Sequence, residues 1–254
     1  MARSVIAAQM YTLREFCKKP KDIAASMKKV RQLGYEAVQI SGIGPIAPDE
    51  LRKIVDAEGL QICATHTSYE RMRDEPQAVI AEHKILGCQY PAIGGLPGEY
   101  RGEQGFTRFA REASEVGRKL SEAGLNFAYH NHSFELERFG DRTGLAILYQ
   151  DSDPRYFKAE IDTYWIQHGG GDSVWWIDKL AGRIPLLHLK DMAMRGGEQL
   201  FAEVGEGNLN WPAILQAARQ AGVVWYIVEQ DVCQRDPFES LGISLRNLNA
   251  MGLK

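Results

Sequence analysis

The chain has 254 residues, 44% of them apolar and 25% charged, with a formal net charge of −3 at pH 7. That length is usual for a one-domain α/β barrel, and the slight acidity argues against nucleic acid as a partner, because nucleic-acid binding leaves a basic stripe or domain. No apolar run approaches the roughly 20 residues that cross a bilayer, and Cys17, Cys63, Cys88 and Cys233 are too scattered for a CxxC metal site or a disulfide frame. The expectation is a cytoplasmic protein without a membrane partner.

In chain order, short apolar runs alternate with longer helical patterns. The N-terminal "MARSVIAAQMY" has no signal-peptide cleavage pattern and contains the first strand, 4–10. Further strand runs follow at 37–41 (AVQIS), 60–66 (LQICATH), 90–94 (YPAIG), 126–132 (NFAYHNH), 157–162 (FKAEID), 185–190 (PLLHLK) and 225–231 (WYIVEQD). Helical spacing covers 21–34, 48–59, 107–124 and 211–222, and each pattern stops at a glycine that can cap a helix. Eight such βα units predict a parallel sheet covered by helices, and the count of eight favours a closed (β/α)8 TIM barrel in one domain over 1–254. The competing fold is an open doubly wound sheet, which signs its first turn with a glycine-rich phosphate loop. Here the first strand leads into "YTLREFCKKP", which has no glycine. The stretch 94–105 (GGLPGEYRGEQG) reads as a long βα loop, and "VWWI" at 174–177 fits either a homo-oligomer interface or helix-to-sheet packing.

Ionisable residues gather at the predicted C-terminal strand ends, where barrels keep their chemistry. The fifth run ends in His130 and His132, the sixth in Glu160 and Asp162, the seventh in His188 and Lys190, and the eighth in Glu229 and Asp231. The third ends in His66, and the first carries Gln9 and Tyr11 on one face. Burying such groups costs several kcal/mol each unless they are paired or bind a cation. Lys190 is one source of positive charge. A divalent metal held by Asp162, His188 and Glu229 is the better one, since carboxylates and neutral imidazole suit Mn, Mg, Co or Zn.

The segments "GYEAVQISG" (34–42), "YHNHSFEL" (129–136), "EIDTYWIQHGGGD" (160–172), "LLHLKDM" (186–192), "EVGEGNLNWPAIL" (203–215) and "YIVEQD" (226–231) resemble the sugar phosphate isomerase/epimerase superfamily of xylose isomerase-like TIM barrels. The resemblance implies one divalent metal ion held by residues from strands five to eight. Three of its ligands fall on Asp162, His188 and Glu229. The position of the remaining family carboxylate is occupied by His130, which leaves the site one negative charge poorer and more electrophilic.

The resemblance further implies an isomerase- or epimerase-like enzyme. It would take an α proton from a keto or aldehydo sugar, or a cyclitol, and pass through an enediolate. Dehydration or glycoside cleavage from that intermediate is the alternative. An endonuclease-IV-like nuclease and a non-catalytic sugar-binding protein are further rivals. With one family carboxylate replaced, Glu229 is the expected base, and His132, Glu135, Lys190 or His66 the second proton carrier. His66, Trp165, Gln9 and Glu160 are expected to bind the sugar. Competing structural readings remain for three of these: a salt bridge for Lys190, and core packing for His66 and Trp165. "EVGEGNLNW" (203–211) reads as a tight loop with Asn210 capping the next helix, in preference to a ligand-binding loop built on Gly205 and Gly207.

Overall fold

The computed structural model of the protein describes residues 4–253; Met1, Ala2, Arg3 and Lys254 of the expected domain lie outside the described residues. Eight parallel strands close into a barrel: β1 (Val5–Gln9), β2 (Ala37–Ile40), β3 (Gln61–His66), β4 (Pro91–Ile93), β5 (Ala128–His130), β6 (Lys158–Asp162), β7 (Leu186–Leu189) and β8 (Trp225–Val228). Each strand pairs with its neighbours in chain order, and β8 closes back on β1, with Trp225 opposite Val5. The architecture is the expected (β/α)8 TIM barrel.

The helices begin and end where local chemistry dictates. α1 (Pro20–Leu33) has proline in its first turn and stops at Gly34, whose φ of 110° only glycine adopts without strain. α2 is Pro48–Ala57, α3 Tyr69–Asp74 and α4 Pro76–Leu86. α5 (Glu103–Ser121) starts inside the stretch read as loop, because the chain turns at Gly102 (φ 85°) rather than further on. α6 (Gly144–Asp151), α7 (Thr163–His168) and α8 (Ser173–Lys179) are short. α9 (Trp211–Ala221) is capped by Asn210, whose Oδ1 accepts from Ala213 N, and α10 (Pro237–Ala250) by Asp236. The stretch 174–177 lies in α8, beside α9: Trp176 and Ile177 are buried, and Trp175 is half exposed. Among the described residues no helix is long and apolar enough to cross a membrane, and all four cysteines are free.

Alternation along the strands separates two layers. Outward residues pack with the helices into the main core. Inside the barrel, Ala7, Ala37, Cys63, Ala64, Ala92, Ala128, Leu186 and Ile227 form a separate apolar layer of mostly small side chains. Two residues further along the same face stand Gln9, Gln39, His66, His130, His188 and Glu229. The apolar floor thus carries a polar ring at the C-terminal mouth.

The strands stop earlier than the sequence runs suggest. His132, Lys190, Glu229 and Asp231 stand just past the ends of β5, β7 and β8. After β7 the chain forms an antiparallel hairpin, Asp191–Arg195 with Glu198–Ala202, turning through Gly196 and Gly197. A shorter ribbon joins Arg138–Phe139 to Arg142–Thr143.

Candidate active site

β5, β6, β7 and the residue after β8 bring His130, Asp162, His188 and Glu229 together. One ligand atom from each lies within 4.8 Å of all the others. Register accounts for the gathering, since Asp162 is the cross-strand partner of His188, and His130 that of Glu160. His130 Nε2 is 3.1 Å from Asp162 Oδ2, and His188 Nδ1 is 3.0 Å from Glu229 Oε2 and 3.7 Å from Asp162 Oδ2. The four residues are buried. The other oxygen of Asp162 accepts from Trp165 N at 3.0 Å, starting α7, so the side chain is fixed from both ends. Asn131 adds to this alignment: its Oδ1 accepts from Asp162 N at 3.0 Å and its amide donates to His132 O at 3.2 Å.

Lys190 is fully buried beside the same oxygens. Its Nζ lies 3.0 Å from Asp162 Oδ2, 2.8 Å from Glu229 Oε2 and 2.5 Å from Asp231 Oδ2. The salt bridge weighed from sequence is therefore present, with Asp162 as one of its partners. Burial alone would raise the Asp162 and Glu229 carboxyls, but the Lys190 ammonium and the neighbouring histidines outweigh it and hold both well below the usual carboxylate range. Burial does win at Asp231, whose carboxyl is raised despite Lys190. Burial also opposes charge on His188, yet Glu160 and Glu229 push its pKa well above that of free imidazole.

The remaining candidates divide by what holds them. His132 has an unpartnered Nδ1, and burial together with His130 lowers its pKa to about 3, so it is neutral. Its ring centroid lies 5.2 Å from that of Trp165, whose indole Nε1 is also buried without a partner. Gln9 is buried, with Oε1 accepting from Tyr11 N and Nε2 unpartnered. Buried polar atoms are nearly all hydrogen-bonded in folded proteins, so three orphans around one mouth suit a polar ligand. Glu135 accepts from Tyr129 OH at 2.7 Å and from His132 N at 3.0 Å, which ties its carboxylate to the loop behind His132. His66 and Glu160 form a pair, Nε2 to Oε2, at 2.8 Å.

Several contributors were invisible as such in the sequence. Gln39 bridges Glu160 and His188, and its signal was the lone polar side chain at inward parity in β2. Phe201, on the hairpin, stacks on Tyr164 with centroids 4.1 Å apart and lies 5.7 Å from Lys190 Nζ. Nothing in the local sequence announces that approach. Asp191 holds the 203–211 loop, accepting from the backbone N–H of Met192, Gly205, Gly207 and Leu209 and from Trp211 Nε1. The loop is thus a braced turn leading to the Asn210 cap.

The chain is similar to several known proteins. The chain is 25% identical to the rhizopine catabolism protein MocC of Rhizobium meliloti over 89% of this chain and 80% of that one. It is 24% identical to an inosose dehydratase of Mesomycoplasma hyopneumoniae over 87% of this chain and 77% of that one. A sugar phosphate isomerase/epimerase from Parabacteroides distasonis, solved by crystallography, superposes with a TM-score of 0.82 at 25% identity, covering 98% of this chain and 95% of that one. The family model described as xylose isomerase-like TIM barrel matches residues 27–249, a span that holds the whole quartet together with Lys190. By that match the chain belongs to the xylose isomerase-like TIM barrel family.

Proposed function

We propose that the protein is a divalent-metal-dependent enzyme that removes an α proton from a keto or aldehydo sugar, or from a keto cyclitol. The observation that carries this reading is the convergence of four buried donor atoms, two imidazole nitrogens and two carboxylate oxygens, within 4.8 Å. The donor set fits Mn, Mg, Co or Zn, and His130, Asp162, His188 and Glu229 would hold the ion. When bound, it supplies charge that polarises a carbonyl and stabilises the enediolate.

The chain's own residues do the rest. Glu229, ionised at neutral pH, is the base that takes the proton. The Lys190 ammonium holds the carboxylates in place and donates towards a developing oxyanion. Neutral His132, the Trp165 indole and the Gln9 amide offer unpartnered polar atoms to substrate hydroxyls. Returning the proton gives isomerisation or epimerisation. Loss of a β-hydroxyl from the same intermediate is the second reading, favoured by the inosose dehydratases among the relatives.

The test is loss of the α-proton signal in deuterated water, followed by proton NMR over a panel of ketoses and inososes. Wild-type protein with Mn²⁺ should exchange that proton for deuterium on at least one substrate. Chelation or Glu229→Gln should abolish exchange. An accompanying unsaturated ketone would identify the dehydratase outcome, and no exchange on any panel member would remove the enzymatic reading.

A further inference from the structure

Glu160 is fully buried in the middle of β6, but its carboxylate is not one of the four groups gathered around Asp162. Its two oxygens face different partners. Oε2 lies 2.8 Å from His66 Nε2, and Oε1 accepts from Gln39 Nε2 at 2.8 Å. Gln39 Oε1 in turn lies 2.6 Å from His188 Nε2.

Only one placement of protons satisfies all of these contacts. An ionised carboxylate accepts and cannot donate. Gln39 must therefore turn its NH2 towards Glu160 and its carbonyl towards His188. That carbonyl also only accepts, so His188 carries a proton on Nε2. Its Nδ1 faces Glu229 Oε2 at 3.0 Å and Asp162 Oδ2 at 3.7 Å, acceptors both, so without a metal Nδ1 carries a second proton, and a bound cation takes that proton's place. On the other arm His66 donates from Nε2 to Glu160, which leaves Nδ1 as acceptor for the Ser41 hydroxyl 3.2 Å away. Gly94 makes room for that ring, since a Cβ there would come within 2.9 Å of His66 Nδ1.

We infer that Glu160 is a positioning residue which, directly and through Gln39, fixes the ring protons of His66 and His188 on Nε2, so that both histidines present Nδ1 to the working side of the site. A line of hydrogen bonds then runs from Ser41 through His66, Glu160 and Gln39 to Nε2 of His188, whose Nδ1 faces Glu229. A metal-ligating histidine needs its other ring N–H anchored in this way, and loss of such an anchor weakens metal binding about 10–100-fold. The His188 arm rests on the proposed function; the His66 arm does not.

Long-range ¹H–¹⁵N NMR of the imidazole nitrogens in the full-length protein tests the inference without reference to turnover. Metal-free wild type near neutral pH should show His66 protonated on Nε2 and bare on Nδ1. With zinc bound, His188 should keep its proton on Nε2. Glu160→Met should turn His66 into a mixture of tautomers and weaken zinc binding about 10–100-fold. Gln39→Met should weaken zinc to a similar degree and leave His66 as in wild type. Ser41→Ala should also leave the His66 tautomer unchanged, since Glu160 sets it.

An unchanged His66 tautomer in folded Glu160→Met overturns the inference. So does a second equivalent of zinc that wild type binds and Glu160→Met loses, because His66, Glu160 and His188 would then be cation ligands. Should Glu160→Met not fold, Gln39→Met decides: unaltered zinc affinity with an unaltered His188 tautomer refutes the relay. If wild type takes up none of zinc, manganese, cobalt or magnesium, the functional reading fails, and the wild-type His66 tautomer alone decides the positioning role.

Discussion

The ammonium of Lys190 lies 2.8 Å from Oε2 of Glu229. Both groups are buried, and removing the ammonium takes from Glu229, Asp162 and Asp231 the cation they share. Breaking a buried ion pair from one side costs about 3–5 kcal/mol. We expect Lys190→Met to lose stability on that scale in metal-free protein, and a saturating dication to restore part of it. Urea unfolding with and without chelator measures both. A variant as stable as wild type in chelator would show that the carboxylates do not depend on this lysine.

The quartet predicts a metal-linked stabilisation. A ligand bound only by the folded state adds about 2.7 kcal/mol at a concentration 100 times its Kd. Mn²⁺, Co²⁺ or Zn²⁺ should raise the melting temperature of wild type, and Asp162→Asn should abolish the rise. An equal rise in the variant would move the ion to another place.

Asp191 accepts from four backbone N–H groups and an indole, and a hydrogen bond to a charged acceptor contributes about 1.5–3 kcal/mol. Asp191→Asn is therefore expected to cost about 3 kcal/mol and to speed amide exchange at Gly205, Gly207 and Leu209. Gly207→Ala should have a related effect, because a Cβ there would meet Asp191 Oδ1 and Met192 O at 2.4 and 2.5 Å. Hydrogen exchange by mass spectrometry reads both, and a loop that exchanges as in wild type would deny the brace.

His83 supplies a pH dependence away from the mouth. It is buried in α4, with Nε2 2.8 Å from Thr65 Oγ1 and Nδ1 2.8 Å from Val79 O, and burial lowers its pKa. The unfolded chain, with a histidine pKa of about 6.5, then binds the proton first. The stability that neutral His83 contributes is fully present above that value and lost as pH falls towards the folded pKa, by at most about 1.4 kcal/mol per pH unit. Between pH 7 and 5 the urea midpoint of wild type should fall more steeply than that of His83→Gln. Parallel slopes would show that other groups govern the acid limb.

Trp165 tests the orphaned atoms. Trp165→Phe keeps an aromatic wall and deletes the unpartnered Nε1. Loss of one neutral hydrogen bond to substrate, about 1 kcal/mol, should raise KM about fivefold and change kcat little. An unchanged KM on the substrate found by the exchange screen would assign the indole to packing.

The barrel was legible because two signals coincide in the sequence: period-two apolar runs, and helical patterns ending at Gly34 and Gly222. The quartet was legible because strand ends and charge coincide at Asp162, His188 and Glu229. What escaped depends on distance along the chain. Gln39 and Glu160 meet across 121 positions, and no local pattern in β2 could show which carboxylate it would serve. The hairpin after β7 escaped for another reason: its strands fold back on themselves and lack the pattern of a barrel strand, so Phe201 arrives at Lys190 unannounced. Strand ends were overestimated because a run such as "WYIVEQD" continues without a turn residue past its last ladder partner, Val228.

The alanine floor beneath the polar ring has a bearing on redesign. Side chains that small leave Glu160, Asp162, Glu229 and Lys190 over a mostly apolar layer that does little to absorb a change in charge. Any engineered alteration of sign at the mouth would therefore need a simultaneous opposite alteration within the same ring. Matched double exchanges, rather than successive single ones, are the route by which such a scaffold can be moved to new chemistry.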